Sequence, residues 1–98
     1  MPKQPVRVTV WSELSEPASV YPNGINGQLA KVLNHFAGID AKIADLHAFQ
    51  QGLSGEILDK TDVLIWWGHK HHSEVNDEYA DRVVDRVTKH GMGFIPTH

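Results

Sequence analysis

A doubly wound parallel α/β sheet of about four strands, ordered 2-1-3-4, is the fold class that the sequence predicts. Three observations carry it. Short apolar stretches with strand character alternate with stretches of helical periodicity, which is the pattern of β-α-β units joined by right-handed crossovers. Val63 to Trp67 is a continuous apolar run bounded by Asp62 and Gly68, the mark of a parallel strand buried on both faces. Gly38 and Gly91 each follow a helical pattern, where glycine can close a helix in the left-handed conformation.

The elements follow in order. Val6, Val8 and Val10 alternate with Arg7 and Thr9, a period of two that predicts strand one, ended by Trp11 before a stretch containing Pro17 and Pro22. From Ile25 the apolar residues recur at Leu29, Val32, Leu33 and Phe36, predicting helix one up to Gly38. Ala41, Ile43 and Leu46 make a weaker second strand, and Ala48 to Lys60 holds a short helix begun at Ser54. Val63 to Trp67 is strand three. Asn76 caps a helix with Asp77 and Glu78 in its first turn, and Val75, Tyr79, Val83 and Val87 give it an apolar face. Its carboxylates Asp77, Glu78, Asp81 and Asp85, interleaved with Arg82 and Arg86, read as a solvated face on which Asp77, Asp81 and Asp85 repel at i,i+4 spacing. Gly93 to Thr97 is strand four, although Pro96 cannot donate to a ladder.

Composition narrows the partners. The 98 residues bound a single domain, and the short length with an uncovered last strand predicts either the amino-terminal part of a longer domain or a homo-oligomer. A net charge of -3 gives no basic footprint for nucleic acid. Without cysteine there is no disulfide, thiolate metal site or cysteine nucleophile. No apolar leader or membrane-spanning run occurs, so the expectation is a soluble, cytoplasmic chain.

In the order 2-1-3-4 the topological switch lies between strands one and three, and open α/β sheets bind ligands outside the strand carboxyl ends at that point. Two loops are therefore singled out: Trp11 to Tyr21, and the loop Gly68 to Ser73 that contains His69, Lys70, His71 and His72. Glu13 directly follows strand one, where partial desolvation would raise a carboxyl pKa and suit it to general acid or base work; the alternative is a solvated loop carboxylate. His69, His72 and His98 fall at neighbouring strand ends and could ligate zinc, which takes three protein ligands and an open position. The same histidines could instead be a polar loop that titrates near neutrality. Trp66 and Trp67 point to opposite faces, and core packing is expected for Trp66. Asn23-Gly24 and Asn26-Gly27 mark the turn into helix one.

The segment DVLIWWGHKHHSEV, Asp62 to Val75, resembles the segment D-V-L-I-W-W-G-H-x-x-H-x-x-V of ThuA-like (trehalose utilisation) proteins. RVTVWSE at Arg7 to Glu13, VYPNGINGQLA at Val20 to Ala30, and GMGFIPTH at Gly91 to His98 extend the resemblance over essentially the whole chain. It implies a flavodoxin-like sheet related to class I glutamine amidotransferases, and a role in bacterial disaccharide or sugar-derivative metabolism. Ser12 stands where the family usually has asparagine, and the family usually continues well beyond His98. A sugar-type substrate puts Trp11, Ser12, Tyr21, Trp67, Gly68 and His71 in the binding set, with Glu13 and His72 as the catalytic pair. Class I amidotransfer itself is disfavoured, because the chain has no cysteine for the nucleophile and the strand-to-helix elbow that would carry a substitute is expected beyond His98. Flavin phosphate is disfavoured by Glu13 and Glu16, and a receiver phosphoacceptor by Trp67 and Gly68 at the end of strand three. A non-catalytic binding or assembly module of the same fold is the alternative function.

Overall fold

The computed structural model describes residues 5–13, 24–67 and 75–96. Four strands form one parallel sheet in the predicted order: β2 (Ile39–Asp45), β1 (Val6–Ser12), β3 (Val63–Trp67) and β4 (Gly93–Pro96). Helix α1 (Gly24–Leu33) precedes β2, a 3-10 turn (Phe49–Gly52) and the short helix α2 (Gly55–Asp59) precede β3, and α3 (Asp77–His90) precedes β4. No helix among the described residues is long and apolar enough to cross a membrane.

Register decides which side chains share a face. Val8 lies opposite Ala41 and Val63, and Val10 opposite Ile43 and Ile65. The valines and Ala41 meet Ala30 beneath α1, with Leu29 and Leu33 packed alongside. On the other face Trp11, Ala44 and Leu64 form the larger core with Leu53, Leu58, Val75, Val83 and Met92, beneath α2 and α3. Cover is therefore unequal, because two helices share one face while α1 alone packs over β1 and β2 on the other. Only Leu64 of β3 is buried outright, where the apolar run predicted burial on both faces, and Ile95 of β4 is half exposed.

Local chemistry explains the other departures. The helical pattern continues to Phe36, but α1 ends at Leu33, and both Val32 and Phe36 face solvent. The stop shows in the backbone: the Asn34 amide still donates to the Ala30 carbonyl at 2.9 Å, but the His35 and Phe36 amides turn to the Val32 and Leu33 carbonyls at 3.1 and 3.0 Å. The Asn34 side chain reaches β2, its Nδ2 donating to the Ala41 carbonyl at 3.0 Å and its Oδ1 accepting from the Ala41 amide at 2.7 Å. Gly38, at φ +86, then turns the chain into β2. Strand two stops at Asp45, and Leu46 packs against the core around Trp11. Helix α2 begins where Ser54 predicts it, with Ser54 Oγ accepting from the Ile57 amide at 3.2 Å.

Helix α3 differs from a solvated face. Arg82 donates to Gln50 Oε1 and to the Leu53 carbonyl, both at 2.9 Å, and Arg86 pairs with Asp59. Both arginines thus tie α3 to the segment before β3. Asp85, expected to repel its neighbours, lies 3.1 Å from Lys89. At the amino end of the sheet Arg7 grips Asp62 through its amide at 2.8 Å, its Nε at 3.1 Å and a second guanidinium nitrogen at 3.0 Å. The Arg7 side chain, then its amide, holds the Asp62 carboxyl below the ordinary 3.8.

Two predictions follow from these contacts. Gly52 has φ +71, and a Cβ there would lie 2.8 Å from the Asp45 carbonyl oxygen and 2.9 Å from Ala44 Cβ. Gly52→Ala is expected to cost about 3 kcal/mol or more in denaturant unfolding, through strain and overpacking together; a loss under about 1 kcal/mol would contradict this turn. Because the Asp62 carboxyl is held low, its stabilisation is complete above the ordinary carboxyl value and is lost as pH falls through the lowered one. The wild type should therefore lose more stability than Asp62→Asn on acidification below about pH 4, and salt should shrink the difference because both partners are exposed.

Candidate functional site

The carboxyl ends of β1 and β3 meet at the switch point. Ser12 pairs with Asp45 on one side and Trp67 on the other, and the Glu13 amide donates to the Trp67 carbonyl at 3.2 Å. The Leu46 amide reaches the Ser12 carbonyl at 3.2 Å, so the backbones of three strands are locked together here. Ser12 is fully buried, and Glu13 is only 1% exposed. Burial of Glu13 is thus far more complete than the partial desolvation expected of it.

Trp11 sits beneath them. Its ring stacks on Trp66 with centroids 4.0 Å apart and planes 11° from parallel, and Trp66 in turn meets Phe94 at 6.0 Å. Its indole N–H donates to the Gln51 carbonyl at 2.8 Å. Fully buried, Trp11 belongs to the core under α2 and α3, and Trp66 packs against that core as expected. Trp67 is half buried at the end of β3.

Two residues that sequence reasoning passed over organise this end of the sheet. Gln50 and Gln51 have φ of 50° and 55°, a left-handed conformation that costs a non-glycine residue about 1 kcal/mol each. The turn brings the Gln51 carbonyl to Trp11, while Gln51 Oε1 accepts the Asn76 amide at 2.7 Å at the start of α3. Asn76 Oδ1 in turn caps the Glu78 amide at 2.9 Å. One glutamine therefore links the end of β1 to the beginning of α3. Nothing in the dipeptide Gln-Gln signals left-handed backbone, so only the following Gly52 hints at a sharp turn. Asn26 is the other anchor: buried, it donates from Nδ2 to the Ala44 carbonyl at 2.9 Å and fixes the first turn of α1 against β2.

Tyr21, Gly68, His69, His71, His72 and His98 lie outside the described residues, as does the turn at Asn23. Among the described residues no group of three or more histidine, aspartate or glutamate side chains is placed to hold a metal ion. A cavity of about 300 Å³ opens at the opposite, amino end of the sheet, beside Arg7, Asp59, Asp62 and Arg86. Its charged groups are already spent on each other. Glu13, at the switch point, is the described residue best placed for chemistry.

Comparison of the chain with models of known protein families and with curated proteins finds no match to either.

Trp11→Phe keeps an aromatic ring in the core but removes the indole donor to Gln51. It is expected to destabilise the fold by about 1–3 kcal/mol and to speed hydrogen exchange in the Phe49–Gly52 turn, with an unchanged exchange pattern there counting against the tie.

Proposed function

We propose that the chain is a ThuA-like protein of bacterial trehalose or disaccharide utilisation, acting on a sugar derivative in the crevice outside β1 and β3. The observation that carries the reading is Glu13, a carboxyl withdrawn from water directly after β1, at the point where open α/β sheets take their ligands. The tryptophan-rich segment from Asp62 to Val75 supplies the family, and the strand order is compatible with it. Glu13 transfers a proton to or from a sugar hydroxyl as general acid or base. Trp67 offers an apolar face to the ring, with Ser12, Tyr21, Gly68 and His71 as hydrogen-bonding partners around it. His69, His72 and His98 are the proposed zinc ligands, and zinc would supply Lewis-acid polarisation of a substrate oxygen.

A non-catalytic binding or assembly module is the second reading, favoured among the described residues by the apolar side chains of Phe94 and Ile95 exposed on β4. Calorimetric titration with trehalose and related disaccharides, paired with product analysis in zinc-loaded and chelated samples, separates the two. The proposed function predicts saccharide binding, turnover lowered about 10²–10⁴-fold by Glu13→Gln with binding retained, and zinc lost on His72→Ala. Absence of binding, turnover and retained zinc would overturn it in favour of the module.

A further inference from the structure

A third loop lies at the carboxyl end of the sheet, between β2 and α2, and both of its ends are fastened to the last residues of β1. At one end the Leu46 amide donates to the Ser12 carbonyl at 3.2 Å; at the other the Gln51 carbonyl accepts the Trp11 indole N–H at 2.8 Å. Glu13 is the next residue of the chain. Between the two anchors the Ala48 amide returns to the Asp45 carbonyl at 3.2 Å and the Gln51 amide to the Ala48 carbonyl at 2.8 Å, so the loop backbone is itself closed into turns. The segment is short, held at both ends and set beside the carboxyl proposed for chemistry.

Three side chains of this segment have no structural task to explain them. The Phe49 ring is 78% exposed, the most of any large apolar side chain among the described residues, although the buried Leu53 follows only four positions later. At the end of β2, Asp45 Oδ1 accepts the His47 amide at 2.8 Å, which orients the carboxylate, and its second oxygen has no partner among the described residues. The His47 side chain is exposed. A saccharide ring presents C–H groups on its face and hydroxyls around its rim. An exposed phenyl ring suits the face, while a carboxylate acceptor with an imidazole, which both donates and accepts, suits the rim.

Position on the sheet sets the size of the ligand. Ser12 pairs with Asp45 of β2 on one side and with Trp67 of β3 on the other. Two strand spacings, about 10 Å, therefore separate the end of β2 from the end of β3, room for two linked pyranose rings rather than one. We propose that Asp45, His47 and Phe49 form the subsite for the second ring of a disaccharide, with Trp67 taking the first ring and Glu13 lying between the two. The proposal rests on the sugar reading above and adds to it the residues that select two rings over one. Preorganisation supports it, because a loop fixed to β1 at both ends loses little freedom when a ligand settles on it.

Calorimetric titration of the full chain with trehalose, maltose and sucrose, and with glucose as the single-ring control, tests it. Phe49→Ala is expected to lose about tenfold or more in affinity for the disaccharide that the wild type binds best, while its glucose affinity and its thermal unfolding stay at wild-type values. Phe49→Trp keeps an aromatic face and should bind like the wild type. Asp45→Asn keeps an oxygen for the His47 amide but removes the carboxylate, and should weaken disaccharide binding with the turn intact. Phe36→Ala removes another exposed ring at the opposite, amino end of the sheet and should change nothing. Disaccharide affinity that Phe49→Ala leaves unchanged, or that Phe36→Ala lowers equally, overturns the subsite and leaves the sugar reading standing. A wild type that binds none of the four sugars overturns both.

Discussion

The indole N–H of Trp11 and the carbonyl of Gln51 make the contact on which the rest of the architecture turns. Trp11 ends the central part of β1, its ring stacks on Trp66 of β3, and its donor reaches the only segment that connects β2 to α2. To present that carbonyl the chain adopts three consecutive positive φ values, at Gln50, Gln51 and Gly52, and closes Gly52 tightly on Ala44 and Asp45. Gln51 then passes the restraint on to the amino end of α3 through Asn76, and Gln50 passes it on again through Arg82. Strain at two glutamines is offset by three hydrogen bonds that hold β1 and α3 to this turn. Glu13 owes its place to this, since it lies two residues beyond the indole that is fixed.

The strand order, the parallel direction and the four strand centres were legible because periodicity and the run Val63 to Trp67 report on burial, and burial is what the sheet enforces. Boundaries were less so. The helical pattern of Leu29, Val32, Leu33 and Phe36 gives no sign that α1 ends at Leu33, nor that the Asn34 side chain is taken up by Ala41, a tertiary bond. Arg82 and Arg86 look like surface charge in the sequence, since nothing local announces that Leu53 and Asp59 lie within reach. At the site, Glu13 was legible from its place after a strand, but its near-complete burial is a property of the packing around it. The left-handed Gln50 and Gln51 were not legible at all, because no residue preference points to that conformation in glutamine.

The two faces of the sheet carry different loads. Beneath α2 and α3 lie Trp11, Leu53, Leu58 and Leu64, which account for most of the large buried side chains. The face under α1 is built from valine and alanine, with Ile65 partly buried beside them and Ile95 of β4 half exposed. Stability thus concentrates on the side where Trp11 and Trp66 sit.

The Asn34 clamp also bears on the edge of the sheet. The Leu46 amide donates to the Ser12 carbonyl, so even-numbered residues of β2 face β1 and Ala41 faces outward. Asn34 therefore takes up both backbone groups of Ala41, so that one side-chain amide does at a single residue what a neighbouring strand would do along the edge.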